Sequence, residues 1–147
     1  MKYWSQNLKH PESVLHGFDS FEGLPESWGY LKEGSLTTGD QIPEINDPRV
    51  KFFKGWFDDV LPTYHLPEGD FESLIINIDA DLYSSTVCIF QHFRKHIRPG
   101  TFIYFDDLSH PDHEPRAFEE FMRETGLRFR LISATRPLAQ AFFVCKA

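Results

Sequence analysis

The sequence predicts a three-layer α/β domain with a mostly parallel sheet, finished by an antiparallel hairpin. Three observations predict it. Short apolar runs alternate with helix-patterned segments along the first three quarters of the chain. Two of those runs are separated by one helix of ordinary crossover length, which implies parallel pairing with a right-handed connection. The C-terminal end then changes character: LRFRLIS alternates from Leu127 to Leu131, and a loop leads to a last apolar run, QAFFVCK.

The elements follow in order. VLHGF (Val14 to Phe18) and VKFF (Val50 to Phe53) read as strands. SLIINI (Ser73 to Ile78) reads as a third strand, buried on both faces because it does not alternate. In SSTVCIFQHFRKHIRPG, Val87, Phe90, Phe93 or Arg94, and Ile97 recur at helical spacing. Ser84, Ser85 and Thr86 offer capping hydroxyls, and Pro99-Gly100 offers a stop. TFIYF (Thr101 to Phe105) is the fourth strand. EPRAFEEFMRETG is a helix with Pro115 in its first turn, an apolar face of Ala117, Phe118, Phe121 and Met122, and Gly126 at its end. Residues 22–49 are rich in Gly, Pro, Asp and Glu and lack periodicity, as a substrate loop or lid would.

Composition narrows the function classes. The chain has 147 residues, enough for one domain with a core, and 15 Phe to fill it. A net charge of -7 disfavours a nucleic-acid groove, which needs a basic stripe. Cys88 and Cys145 lie in apolar patterns and form no CxxC, so they read as small buried hydrophobes rather than zinc ligands or redox pairs. No apolar run reaches membrane-spanning length and the first residues carry no apolar signal region, so the expected setting is cytoplasmic, away from membranes.

The strand ends carry the chemistry. VLHGF runs into Asp19, LIINI into Asp79 with Asp81 two residues on, and TFIYF into Asp106-Asp107. Parallel strands of an open α/β sheet end on one edge, where ligands bind. A carboxylate cluster there repels itself unless protons or a cation intervene, and oxygen-only ligands favour a hard cation such as Mg²⁺ or Ca²⁺. Any one of these aspartates could equally cap the turn after its strand; their shared edge argues for a site. A hydrolase or phosphatase using the same acidic edge would need a nucleophile motif, which the chain lacks.

Four segments, in order, resemble one family: GFDSFEGLPE (Gly17 to Glu26), KGWFDDVLP (Lys54 to Pro62), IDADLYSST (Ile78 to Thr86) and PGTFIYFDDL (Pro99 to Leu108). HEPRAFEEF (His113 to Phe121) resembles the segment that follows them. The family is that of the macrocin-type sugar O-methyltransferases, S-adenosylmethionine-dependent enzymes of class I with a Rossmann-like fold. The resemblance implies that Asp19, with Ser20 and Phe21 beside it, meets the cofactor ribose, and that Gly55 and Trp56 line its adenine side. It implies Asp79, Asp106 and Asp107 as Mg²⁺ ligands and Asp81 as general base. The implied acceptor is a hydroxyl of a sugar or other small molecule. Asp58 and Asp59 read as helix-start residues, and His110 and His113 as solvated loop histidines.

In that family a first strand and a glycine-rich loop precede GFDSFEG. Here thirteen residues precede Val14, and the nine glycines include no GxG pair. The expectation is therefore an N-terminally truncated methyltransferase-like domain over residues 1–147, lacking the family's first strand. Unpaired strand edges in such a sheet invite another chain, so a homo-oligomer is expected. The competing expectation is a non-catalytic remnant of the fold that binds or assembles.

Overall fold

In the computed structural model, residues 10–69, 72–136 and 138–147 are described. The chain forms two compact units, Met1–Tyr64 and His65–Ala147.

In the first unit, β1 (Leu15–Asp19) pairs in parallel with β2 (Val50–Lys54), Leu15 opposite Val50 and Asp19 opposite Lys54. A single helical turn, α1 (Phe57–Val60), carries Asp58 and Asp59 in its first turn, where the helix dipole favours negative charge. A 3₁₀ turn (Leu61–Thr63) follows. Phe18 stacks on Phe53 with ring centroids 5.0 Å apart, and the Tyr64 ring stands edge-on to both. The segment between the strands is irregular but tied down. Leu24 N–H donates to the Ser35 carbonyl at 2.8 Å, and Gly34 N–H donates back to the Leu24 carbonyl at 2.8 Å. Gly23 sits inside this tie at φ +95°, where a Cβ would lie 2.3 Å from the Ser35 oxygen, so only glycine fits.

In the second unit the elements run β3 (Ile75–Ile78), α2 (Tyr83–Phe93), β4 (Phe102–Phe105), α3 (Glu114–Thr125), β5 (Arg128–Ala134) and β6 (Ala141–Lys146). The sheet order is β3-β4-β6-β5. The β3–β4 pair is parallel, and β6 is antiparallel to both β4 and β5. The α/β class, the parallel pairings and the closing hairpin thus agree with the sequence reading. Phe90 of α2 stacks on Phe121 of α3 at 4.4 Å, and Phe118 of α3 packs 4.9 Å from Phe105 and 5.1 Å from Phe143. Both helices therefore lie on the sheet face that carries Phe105 and Phe143. Cys145 is buried and Cys88 half-buried, and neither forms a disulfide.

Two local expectations are corrected. β3 alternates in burial: Ile76 and Ile78 are buried, while Ile75 is 60% exposed. Its apolar run fills one face against the helices, and aliphatic character alone did not reveal that. α2 starts at Tyr83, with Leu82 at the cap position and no side-chain cap of its own. Thr86 Oγ1 instead donates to the Leu82 carbonyl at 2.8 Å. The helix α3 ends as expected, with Gly126 at φ 71° donating its N–H to the Met122 carbonyl at 2.9 Å.

A pH dependence follows from the first unit. His16 Nδ1 lies 2.6 Å from the Tyr64 hydroxyl, and its ring meets Phe53 and Tyr64 edge-on. Burial, aided by the charge of Lys51, lowers the His16 pKa from 6.5. The folded chain thus resists protonation there. The stability it contributes is full above pH 6.5 and is lost as pH falls through the lowered value. The stability difference between wild type and His16→Gln, read by urea denaturation, should shrink between about pH 7.5 and about pH 5. A constant difference would show that His16 does not titrate with folding.

Candidate functional site

The register of β3 and β4 builds the acidic site. Ile78 stands opposite Phe105, so the residues that leave the two strands, Asp79 and Asp106, emerge side by side. Asp106 N–H donates to the Ile78 carbonyl at 3.0 Å, extending the pairing by one residue. Asp79, Asp106 and Asp107 each offer a carboxylate oxygen, and these oxygens lie within 4.8 Å of one another.

Each carboxylate is held differently. Asp106 Oδ1 accepts from the Tyr104 hydroxyl and from Gln140 Nε2, both at 2.8 Å. Two donors on one oxygen fix the carboxylate plane and leave the other oxygen to face a ligand. The price appears on Tyr104, whose pKa is pushed up to about 12, first by burial and then by this bond. Asp81 takes a left-handed backbone, φ 59°, while Leu82 N–H donates to the Ala80 carbonyl across it. This three-residue turn is strained, and Asp tolerates it better than most residues. Burial first, then a hydrogen bond with Asp107 and the charges of Asp107, Asp79 and Asp106, raise the Asp81 pKa to about 7.

Two residues outside the expected set complete the site. Glu114, the first residue of α3, is fully buried. Its Oε1 accepts from Ala80 N–H at 3.2 Å and its Oε2 from Asp107 N–H at 3.3 Å. Burial raises its pKa to about 7 against the lowering effect of those two donors. His113 is not a solvated loop histidine. It is half-buried, and its Nδ1 accepts the Tyr83 N–H at 3.3 Å, which gives α2 the cap that its own sequence lacks. His110 is exposed. The signal available in the sequence was an acidic residue directly before Pro115 in HEPRAF, at the start of a helix that follows the Asp106-Asp107 pair.

The expected cofactor residues lie in the first unit. Asp19 ends β1, is exposed, and accepts the Phe21 N–H on Oδ1 at 2.6 Å. Its carbonyl accepts the Gly55 N–H at 3.0 Å, which ties the ends of β1 and β2. Ser20 and Phe21 are buried, and Ser20 Oγ accepts the Glu22 N–H at 3.1 Å. Gly55 has φ +142°, and a Cβ there would lie 2.5 Å from Val60 Cγ2. Trp56 is half-buried at the cap position of α1. Asp19 and Gly55 are thus neighbours at the ends of β1 and β2.

The structure resembles the O-methyltransferase NovP, with a TM-score of 0.64 at 20% identity over 92% of this chain and 61% of that one. It also resembles the calicheamicin methyltransferase CalS11, with a TM-score of 0.65 at 18% identity over 92% of this chain and 62% of that one. The fold is therefore that of class I O-methyltransferases. Residues 42–135 match the Macrocin-O-methyltransferase (TylF) family, and the chain belongs to that family. It is 28% identical over 131 residues to the mycinamicin III 3''-O-methyltransferase of Micromonospora griseorubida, covering 86% of this chain and 47% of that protein. It is 38% identical over 109 residues to the 8-demethyl-8-(2,3-dimethoxy-alpha-L-rhamnosyl)-tetracenomycin-C 4'-O-methyltransferase of Streptomyces olivaceus, covering 62% of this chain and 40% of that protein. The chain spans less than half the length of these two relatives.

Like charges crowded at the ends of β3 and β4 should cost stability when no cation is present. In protein treated with a chelator, Asp79→Asn is expected to raise the unfolding free energy by up to about 1 kcal/mol, seen as a higher thermal midpoint, for one exposed carboxylate near its neighbours. A lowered midpoint would mean that Asp79 stabilises the loop more than it repels.

Proposed function

We propose that this chain works in a Mg²⁺-dependent S-adenosylmethionine O-methyltransferase that acts on a hydroxyl of a sugar or other small molecule. One observation carries the reading: in a chain of this family, three carboxylates converge where two parallel strands end. The names of two relatives, both O-methyltransferases and one of them acting on a rhamnosyl-bearing compound, support the acceptor class.

The donor set fits the cation. Two oxygens on one Mg²⁺ can be at most about 4.2 Å apart, and on one Ca²⁺ about 5 Å, twice the respective bond lengths. Oxygens within 4.8 Å of one another already meet the wider limit and need only small side-chain adjustments to meet the tighter one. Asp79, Asp106 and Asp107 would hold the ion. When bound, it would lower the pKa of an acceptor hydroxyl. Asp106 arrives already oriented by Tyr104 and Gln140. Asp81, turned out of the strand line by its left-handed backbone, takes the acceptor proton on its carboxylate. In the first unit, Asp19, with Ser20 and Phe21, receives the cofactor ribose through its free carboxylate oxygen, and Gly55 and Trp56 line the adenine side. S-adenosylmethionine supplies the methyl group. We further propose that residues 1–147 act as one methyltransferase-like domain in the cytoplasm, which two cysteines outside any disulfide support. A homo-oligomer is supported by β3, which ends its sheet with Ile75 60% exposed.

Calorimetry separates enzyme from remnant. Micromolar binding of S-adenosylmethionine is expected, and none at millimolar cofactor would favour a non-catalytic binding or assembly protein. Asp79→Ala should weaken Mg²⁺ binding strongly, since each ligand supplies charge and geometry together. If its Mg²⁺ affinity matched wild type, the aspartates would be turn caps.

Asp81→Asn should keep metal and cofactor yet lose rate by roughly 10²–10⁴, the usual share of a positioned base. Full turnover in Asp81→Asn would remove it from the mechanism. Loss of metal binding would make it a ligand instead.

A further inference from the structure

We infer that Glu114 is a positioning residue that sets the spacing of the metal-binding aspartates by clamping the two loops that carry them. The inference rests on the metal reading above.

The geometry is specific. Ala80 follows Asp79 in the loop after β3, and Asp107 belongs to the loop after β4. Among the described residues the strand pairing between those loops ends at Ile78 and Phe105, with the Asp106 N–H bond to the Ile78 carbonyl one step further. Beyond it, the Glu114 carboxylate spans the gap. Oε1 accepts Ala80 N–H at 3.2 Å, and Oε2 accepts Asp107 N–H at 3.3 Å. Glu114 itself cannot drift. It is fully buried and opens α3, whose Ala117, Phe118 and Phe121 are buried with it. Beside it, His113 holds the Tyr83 N–H, so the start of α3 grips the chain on both sides of Asp81.

The chemistry demands a carboxylate. Both partners are backbone donors, so both side-chain atoms must accept. Glutamine has one accepting oxygen, and its NH₂ group would face the second N–H, donor against donor. Aspartate is one methylene shorter and cannot reach both loops from the same helix position. Neither N–H belongs to a ligand side chain. The clamp acts through the backbone, holding the Cα atoms from which the Asp79 and Asp107 side chains project.

The test is Mn²⁺ binding by calorimetry on the full chain, comparing wild type, Glu114→Gln, Asp79→Ala and Phe121→Leu. Phe121→Leu weakens the same helix by removing its stack on Phe90 without touching the clamp. Glu114→Gln should raise the Mn²⁺ Kd by about 10–100-fold, the usual effect of losing a group that orients metal ligands. Phe121→Leu should leave the Kd unchanged at equal or greater loss of stability.

Equal weakening in both variants would make Glu114 a fold residue only and overturn the inference. An unchanged Kd in folded Glu114→Gln would overturn it while leaving the metal site intact. No Mn²⁺ binding by wild type would overturn the metal reading and the inference together. Should Glu114→Gln fail to fold, amide exchange of the wild-type chain decides. The clamp requires the Ala80 and Asp107 amides to be protected like core amides, and rapid exchange at either one refutes it.

Discussion

The parallel register of β3 with β4 is the constraint on which the second unit depends. Pairing Ile78 with Phe105 does two things at once. It puts Ile78, Ile103 and Phe105, none of them exposed to solvent, on the face that the helices cover. It also makes Asp79 and Asp106 leave their strands at the same level. A slip of one residue would turn every side chain to the opposite face and separate the carboxylates. The hydrophobic pattern that secures the core therefore also assembles the acidic site, and no separate device is needed to bring its parts together.

That arrangement has an energetic cost, visible in the groups that surround it. Asp81 and Glu114 both have pKa values raised to about 7, with burial as the first cause in each. Tyr104 is pushed up to about 12 beside Asp106. A fold optimised for stability alone would neutralise such a cluster with Lys or Arg. The hydrogen bonds that hold Glu114 and Asp106 come from backbone N–H groups, a tyrosine hydroxyl and a glutamine amide, all of them neutral. Neutral donors orient a carboxylate without cancelling its charge, which leaves the charge available to a cation.

Much of this was legible in the sequence because it depends on local pattern. β1 and β2 fall within a residue or so of their apolar runs, and the hairpin announces itself by alternation. The helix α3 carries its own start and stop in Pro115 and Gly126. Asp19, Asp79 and Asp106 were legible because each directly follows an apolar run. What failed to show was chemistry supplied from a distance. The hydroxyls of Ser84, Ser85 and Thr86 looked like the cap of α2, yet the first N–H of that helix is taken by His113, thirty positions along the chain. Glu114 meets Ala80 across thirty-four positions, and no spacing rule connects the two. The half-exposed character of β3 was equally hidden, because an aliphatic run looks the same whether one face or both are covered.

Glu114 makes clear why burial of a charged group should be read as positioning before it is read as stability. Its location is favourable in part: it opens a helix, where the dipole favours negative charge, and two N–H groups face it. Full burial still opposes its ionisation, and the raised pKa shows that burial outweighs both donors. Replacing a buried polar arrangement by well-packed apolar groups is often neutral or stabilising. Stability therefore does not require a carboxylate here. Geometry does, because Ala80 and Asp107 present two donors from two loops, and among the common side chains only a carboxylate accepts twice in one plane. The second unit thus combines a register that brings the aspartates together with a buried acid that keeps them at a fixed separation.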